Sequence, residues 1–486
     1  MKIEPHTPTS AAAWASLVLD PGYNAVDDGL ASTDPIGFPG YDTDAESVLC
    51  ASGTSGGLPV EVIAFDFSVL GGSLGVVAGE RIARAFERAV VRRGAVVALL
   101  ATGGARMQEG MAALVQMGKT VVARQTLAKH GLPFVAYLRN PTTGGVYASF
   151  GALADVIWAE PGATVGFAGP RVAERMSGRP LPTGSHTAEF AFARGLVDGI
   201  VPADELRDRV RAFLDATLGS DDLPGGTAMP PAPSQAPADA WEEVLLARHN
   251  DRPTGRAFAE RIATGIVEIS GDRAGTSDTG LLLGLARIAG RRVGVIAHER
   301  RPLGPSAFRA SQRLTRLAGR FGLPVVTFVD TPGADPSSES EAGGIVRAIS
   351  GTFRDLLDHP APTVAAVTGE GGSGGALAFA CADRVVALEH SIFSVIAPEG
   401  AAAILRRDDP ASVSRDLDLS SAGLARLGIA DHVIAEPEPG AHVHPDETAR
   451  RLEAAIAASL AGAAADDRTA RARRWREAGN RFLEDS

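Results

Sequence analysis

The chain has 486 residues, 45% hydrophobic and 22% charged, and 58 acidic against 47 basic side chains give a net charge of −11. That length bounds two or three domains whose cores need no disulfide or metal staple. The acidic balance argues against nucleic-acid binding, which requires a basic face, and no apolar run approaches the roughly 20 residues of a bilayer span. Two cysteines, Cys50 and Cys381, exclude a four-cysteine zinc ribbon or a disulfide scaffold. A reducing, cytoplasmic setting is expected, and Glu4 and Pro5 stand where a signal peptide would begin its apolar core.

In chain order, residues 21–58 are polar and glycine-rich and read as an irregular lead-in. Ala95–Leu100 is an apolar run that predicts a buried strand. A long helix is predicted from about Ala105 to Lys129, with Met107, Met111, Leu114, Val121 and Leu127 recurring at helical spacing as a core stripe and His130-Gly131 as its stop. Pro133–Leu138 predicts the next strand, and Gly144–Leu153 the next helix. Residues 219–239 hold five prolines and no periodic pattern, the composition of an exposed, semi-stiff linker. Beyond it, Val325–Val329 and Val364–Val367 read as strands, and a helix is expected from Gly374 through Cys381.

A linker near the midpoint prompts a search for duplication. The halves align at an offset near 230: Gly104-Ala105 faces Gly333-Ala334, Gly144-Gly145 faces Gly374-Gly375, Asp155 faces Asp383, and the run from Gly195 to Val201 faces the run from Gly428 to Ile434. Four matches in one order predict an α/β protein of two homologous domains, 1–218 and 240–486, joined by 219–239.

The glycine turns carry the chemical signal. Glycine admits positive φ and close approach of a ligand to the backbone, and the N–H groups opening the following helix lack intrahelical acceptors. This is the requirement for an anion or oxyanion site, although a tight packing turn would use the same residues. Gly369-x-Gly371-x-x-Gly374 also fits a dinucleotide fingerprint, but the other copy lacks it. Gly371-Gly-Ser373-Gly-Gly375 fits a bare nucleophile-elbow pattern, with no histidine partner identifiable, His390 and His432 being equally suited to packing. No Gly-Lys-Ser/Thr follows either turn, which excludes a P-loop.

Several ordered motifs resemble a known family. Phe65 to Gly75 (FDFSVLGGSLG), Gly103 to Gly110 (GGARMQEG), Pro141 to Val146 (PTTGGV) and Phe167 to Val172 (FAGPRV) are similar to the carboxyltransferase β subunit of bacterial acetyl-CoA carboxylase. Gly271-Asp-Arg273, Phe321 to Ala334 (FGLPVVTFVDTPGA), Gly369 to Ala376 (GEGGSGGA) and Ser394 to Gly400 (SVIAPEG) are similar to its α subunit. The whole resembles a fused β–α carboxyltransferase of the crotonase superfamily.

The resemblance implies two crotonase-like domains of spiral β-β-α units, the first on the acyl-CoA side and the second on the biotin side. It implies transfer of a carboxyl group from carboxybiotin, held on a separate carrier protein, to acetyl-CoA, giving malonyl-CoA. Gly144 and Gly145 would then form the oxyanion hole for the acyl-CoA, and Gly374 and Gly375, with Ala376, that for biotin. Gly103, Gly104, Ala105, Gly333 and Ala334 join them as binding residues. Arg106 is a candidate for coenzyme A contact, against its plain reading as an exposed helix arginine. Implied partners are a biotin carboxyl carrier protein, a biotin carboxylase and a second copy of the chain, as a homodimer or larger. No zinc is expected. The segment Phe308 to Arg313 carries fewer positive charges than the family pattern implies, and the acidic loop at Pro336–Glu341, followed by Gly343-Gly344, is short. Alternatives are another acyl-CoA such as propionyl-CoA, decarboxylation of malonyl-type thioesters, and a non-catalytic assembly subunit.

Overall fold

The structure is a computed structural model that describes residues 8–27, 29–223, 228–234, 239–463 and 468–483. It divides into two compact units, residues 1–220 with 273–276 and residues 221–272 with 277–486. Of the proline-rich stretch, residues 224–227 and 235–238 lie outside the described residues. Its described parts are tied to the second unit: Asp222 N–H donates to Gly290 O, and Pro230 O accepts from His432 Nε2.

The first unit is built on β1 (Asn24–Val26), β2 (Val48–Ser55), β3 (Leu58–Phe65), β4 (Ala95–Thr102), β5 (Phe134–Thr143), β6 (Val156–Ala159), β7 (Val165–Gly166) and β8 (Gly199–Ile200). The sheet order is β1-β2-β3-β4-β5-β6-β8, with β7 pairing the far end of β5. The β1–β2 and β2–β3 pairs are antiparallel and the rest parallel. All eight residues of β4 are buried, which explains its unbroken apolar reading. Helix Val76–Arg92 crosses from β3 to β4, completing a β-β-α unit, and packs Ile82 and Phe86 into the core.

The second unit repeats this plan with β9 (Ala263–Glu268), β10 (Leu281–Ile288), β11 (Arg291–His298), β12 (Val325–Thr331), β13 (Thr363–Gly372), β14 (Arg384–Leu388), β15 (Ile392–Ser394) and β16 (His432–Ile434). Its order is β9-β10-β11-β12-β13-β14-β16, with β15 on the far end of β13. The aspartates of the duplicated motifs have duplicated jobs. Asp155 accepts from Phe134 N–H and Asp383 from Thr363 N–H, at 2.9 and 2.7 Å. Asp198 likewise accepts from Ile157 N–H and Asp431 from Val385 N–H, both at 2.7 Å.

Several predicted elements need correction. The lead-in at 21–58 contains β1 and β2, the latter joined to β3 through Gly56-Gly57, both at positive φ, a hairpin turn whose twist suits its strands. The long helix is broken into a 3-10 turn Met107–Glu109 and helices Gly110–Leu114 and Gln116–Lys129, because Gly110 takes φ +54° just after the buried Glu109. The methionine stripe is consequently not core: Met107 is 80% and Met111 68% exposed, although Leu127 is buried. Gly144–Leu153 is helical only over Gly145–Ala148, followed by a 3-10 turn at Gly151–Leu153.

Two buried histidines of the second unit make stability pH-dependent. Burial pushes His298 down to about 3 and His359 down to about 4, so both are neutral when native. In the unfolded chain each protonates near pH 6.5. Between pH 6 and 5 the unfolded state therefore binds more protons, and stability falls as pH falls. Urea midpoints across that range should flatten by about one proton's worth of slope in His359→Gln, whose amide can still donate to Leu323 O.

Candidate active site

In the first unit the backbone leaves β4 through Thr102-Gly103-Gly104-Ala105. Gly104 sits at φ +114°, its N–H donating to Thr102 Oγ1 at 3.0 Å and its carbonyl accepting from Leu74 N–H at 2.8 Å. Arg106 N–H returns to Leu74 O at 2.9 Å. Ala105 lies between these bonds, and among the described residues its N–H finds no acceptor. The second piece enters from β5: Gly144, at φ +79°, donates to Phe167 O at 2.8 Å, and Gly145 opens the short helix. A Cβ on Gly104 would lie 3.4 Å from Gly145 N, and one on Gly144 2.7 Å from Gly104 Cα. The two loops thus touch main chain to main chain, bringing Ala105 and Gly145 together at one spot.

The second unit reproduces the arrangement 229 residues later. Gly333, at φ +117°, donates to Thr331 Oγ1 at 3.0 Å, its carbonyl accepts from Leu303 N–H, and Asp335 N–H returns to Leu303 O. Ala334 is left between them, again with no acceptor for its N–H among the described residues. A Cβ on Gly375 would stand 2.5 Å from Ala334 N, whereas one on Gly374 would meet nothing within 4 Å. Gly374 therefore faces open space beside Ala334.

The strand register corrects the pairing of the turns by one residue. Thr102 pairs with Thr142 and Thr331 with Gly371, so Gly144 corresponds to Ser373, Gly145 to Gly374 and Val146 to Gly375. Ser373 shares the positive φ, at +59°. That angle suits a nucleophile elbow, but no histidine hydrogen-bonds its hydroxyl among the described residues: His390 is held by Glu243 and His432 by Pro230 O. The dinucleotide fingerprint also dissolves. Gly369 and Gly371 lie inside β13, where a Cβ would strike the Asp330 carboxylate at 2.2 Å and the Phe393 ring at 2.3 Å. Ala376 is fully buried, so its methyl takes no part in the open face.

Arg106 is the clearest departure from expectation. It is neither helical nor solvated but 1% exposed, bonded to Glu46 at 2.9 Å, Tyr41 Oη at 3.0 Å and Ser73 O at 3.1 Å, with Glu109 at 3.6 Å. Glu109, fully buried, accepts from Val76 N–H at 2.5 Å and Tyr41 Oη at 2.6 Å. Burial works against the guanidinium's charge, but Glu46 and Tyr41 outweigh it and hold the pKa above the usual arginine value. Burial, aided by Glu109, pushes the Tyr41 phenol up. With every side reaching a protein partner, Arg106 braces the loop from behind. In the second unit that task falls to Asp330, buried at the end of β12, which accepts from Glu370 N–H at 3.1 Å, Gly255 N–H at 3.2 Å and Arg300 Nε at 3.1 Å. Arg248 grips Glu370 with two bonds of 2.9 and 2.6 Å. These braces were missed in the sequence: Glu109, Asp330 and Glu370 lie within the family motifs but drew no role, and Arg106 was assigned outward.

Exposed apolar side chains flank both turns. Phe167, whose carbonyl holds Gly144, is 75% exposed, and Val395 and Ile404 are exposed after β15. Among the described residues no cluster of three or more His, Cys, Asp or Glu is arranged to hold a metal ion. No helix among them is long and apolar enough to cross a membrane.

The fold is that of the crotonase-like carboxyltransferases. It superposes on the transcarboxylase 12S hexamer structure, determined with methylmalonyl-coenzyme A and methylmalonic acid bound, at a TM-score of 0.77 and 24% identity, covering 94% of this chain and 90% of that one. Residues 235–479 match the family described as acetyl co-enzyme A carboxylase carboxyltransferase-like. Over 94% of its length the chain is 43% identical to the acetyl-coenzyme A carboxylase carboxyl transferase subunits beta/alpha of Salinispora arenicola, covering 87% of that protein. It is 39% identical to the probable biotin-dependent acyl-coenzyme A carboxylase beta3 subunit of Mycobacterium bovis, over 85% of each. The chain belongs to the acetyl-CoA carboxylase carboxyltransferase family, in the form that joins beta and alpha subunits in one polypeptide.

Because Arg106 is a brace, Arg106→Met should destabilise the fold by about 3–5 kcal/mol by stranding the buried Glu109 and the half-buried Glu46. Adding Glu109→Gln should recover part of that loss. Urea denaturation reads both, and an unchanged midpoint with a raised KM for acyl-CoA would return Arg106 to the substrate.

Proposed function

We propose that the chain transfers a carboxyl group from carboxybiotin, presented by a separate carrier protein, to acetyl-CoA, giving malonyl-CoA. The observation that supports this most is the repetition of one N–H pair in both units, Ala105 with Gly145 and Ala334 with Gly374. The reaction develops negative charge on two oxygens, the thioester enolate and the biotin ureido oxygen, and each needs preorganised donors in a dry site. The first turn, Gly103, Gly104, Ala105, Gly144 and Gly145, is assigned to the thioester. The second, Gly333, Ala334, Gly374 and Gly375, is assigned to biotin, and the open space before Gly374 suits a ring delivered from outside.

Carboxybiotin supplies the carboxyl carbon as its N–C bond breaks, and the ureido nitrogen left behind takes the proton of the acyl methyl as the new C–C bond forms. The chain's part is to hold both oxygens on main-chain donors that cost no reorganisation as charge appears. Arg106 and Asp330 keep those donors in place without touching substrate. The exposed Phe167, Met107, Val395 and Ile404 are assigned to covering surfaces, which agrees with a homodimer or larger assembly and with docking of carrier and biotin carboxylase. Both cysteines are buried and unpaired, in keeping with a reducing cytoplasm.

The test is the reverse reaction, following acetyl-CoA formed from malonyl-CoA and a free biotin derivative. Wild type should turn over only when the biotin derivative is present. Gly374→Val should lose activity about 100-fold, the worth of an oxyanion donor, with an unchanged melting temperature because its Cβ meets no atom. Turnover with methylmalonyl-CoA alone would keep the mechanism and move the substrate. Full activity in Gly374→Val would remove the second turn from the reaction.

A further inference from the structure

The second unit carries a cavity of about 600 Å³ lined by none of the residues assigned to the two turns. It lies between helix Pro305–Arg320 and helix Ile345–Leu357. Arg309, Arg316, Arg347 and Arg354 line it, and no carboxylate does. Two aspartates stand behind these arginines. Asp272 holds Arg309 at 2.8 Å, and Asp355 lies 2.7 Å from Arg354 and 3.6 Å from Arg316. Arg347 has no ion-pair partner among the described residues. Four cations against two anions leave a local positive excess in a chain whose net charge is −11.

The cavity is also kept clear of side chains. Its floor is Gln312, buried and anchored through Nε2 to Ala348 O at 2.8 Å. Gly351 stands inside the second helix, where glycine is unfavourable, yet a Cβ there would lie 2.7 Å from Gln312 Oε1. Gly343 and Gly344 leave one end equally bare.

We infer that this cavity binds the phosphate groups of a phosphorylated ligand. Guanidinium forks match phosphate oxygens bidentately, and the cluster is all arginine with no lysine. The volume exceeds what a lone phosphate needs and suits a nucleotide diphosphate. Two sources share that chemistry: the nucleotide end of coenzyme A, which rests on the reaction proposed above, and a separate nucleotide or free diphosphate, which does not.

Calorimetric titration of the full chain with pyrophosphate, 3′,5′-ADP and coenzyme A tests the site without requiring turnover. Wild type should bind pyrophosphate with an affinity that weakens as salt rises. Arg347→Glu with Arg354→Glu should weaken it about tenfold or more, the size of one or two charge-assisted contacts. The neutral pair Arg347→Gln with Arg354→Gln should lie between, and both should melt like wild type. A raised KM for malonyl-CoA with unchanged turnover of malonyl-pantetheine, which lacks the nucleotide, would assign the site to coenzyme A. Lost pyrophosphate binding with both KM values unchanged would assign it to a separate ligand. No pyrophosphate binding by wild type, or equal binding by the variants, overturns the inference whether or not the carboxyl transfer holds.

Discussion

Each unit depends on two stretches of main chain meeting with no side chain between them. Gly104 against Gly144, and Gly333 against the carbonyl of Gly372, approach closely enough that a methyl group on the positive-φ glycine would collide or press on backbone. Once that approach is fixed, the rest follows in order. The strands feeding the two loops must be neighbours in a parallel sheet, as β4 and β5 are, and β12 and β13. The helix after the second loop must begin at the point of contact, where its first N–H groups have no helical acceptor.

Holding bare main chain at such a spacing requires a rigid backing, and the two units achieve it differently. The threonine that ends each inner strand, Thr102 or Thr331, caps the following glycine N–H in both. Beyond that the polar scaffolds diverge. The first uses a buried arginine with two glutamates and a tyrosine, the second a buried aspartate with an arginine and two backbone N–H groups. Buried charges repay their desolvation poorly, so their contribution lies in fixing loop position rather than in net stability. Identical geometry from unlike side chains indicates that the loop contact is the constrained quantity and the backing is interchangeable.

The duplication and the turns were legible in the sequence because both depend on features that local spacing reveals: fully apolar strands, and glycines that mark close approach. The aspartates just before β6, β8, β14 and β16 were legible as repeats, though their task of accepting an N–H from the neighbouring strand emerged only in three dimensions. Short-range patterns misled where tertiary demands prevailed. Methionine periodicity through Met107 and Met111 suggested one helix, but a buried Glu109 and the positive φ of Gly110 break it and turn the stripe outward. Arg106 resembled a solvated arginine because its partners Tyr41 and Glu46 lie some sixty residues away in a stretch that reads as irregular. The one-residue shift that sets Gly145 against Gly374 was hidden because matching Gly144-Gly145 to Gly374-Gly375 aligns two glycines, whereas the hydrogen-bonded strand partners set Gly144 against Ser373.

The presence of both units in one polypeptide has a consequence for supply. Separate chains would have to be synthesised in matched amounts, and any surplus of one would carry only one of the two turns. Here every ribosome that finishes a molecule delivers one turn of each kind. The ratio of the two is set by covalent connection, and fluctuation in expression changes only how many complete molecules a cell holds.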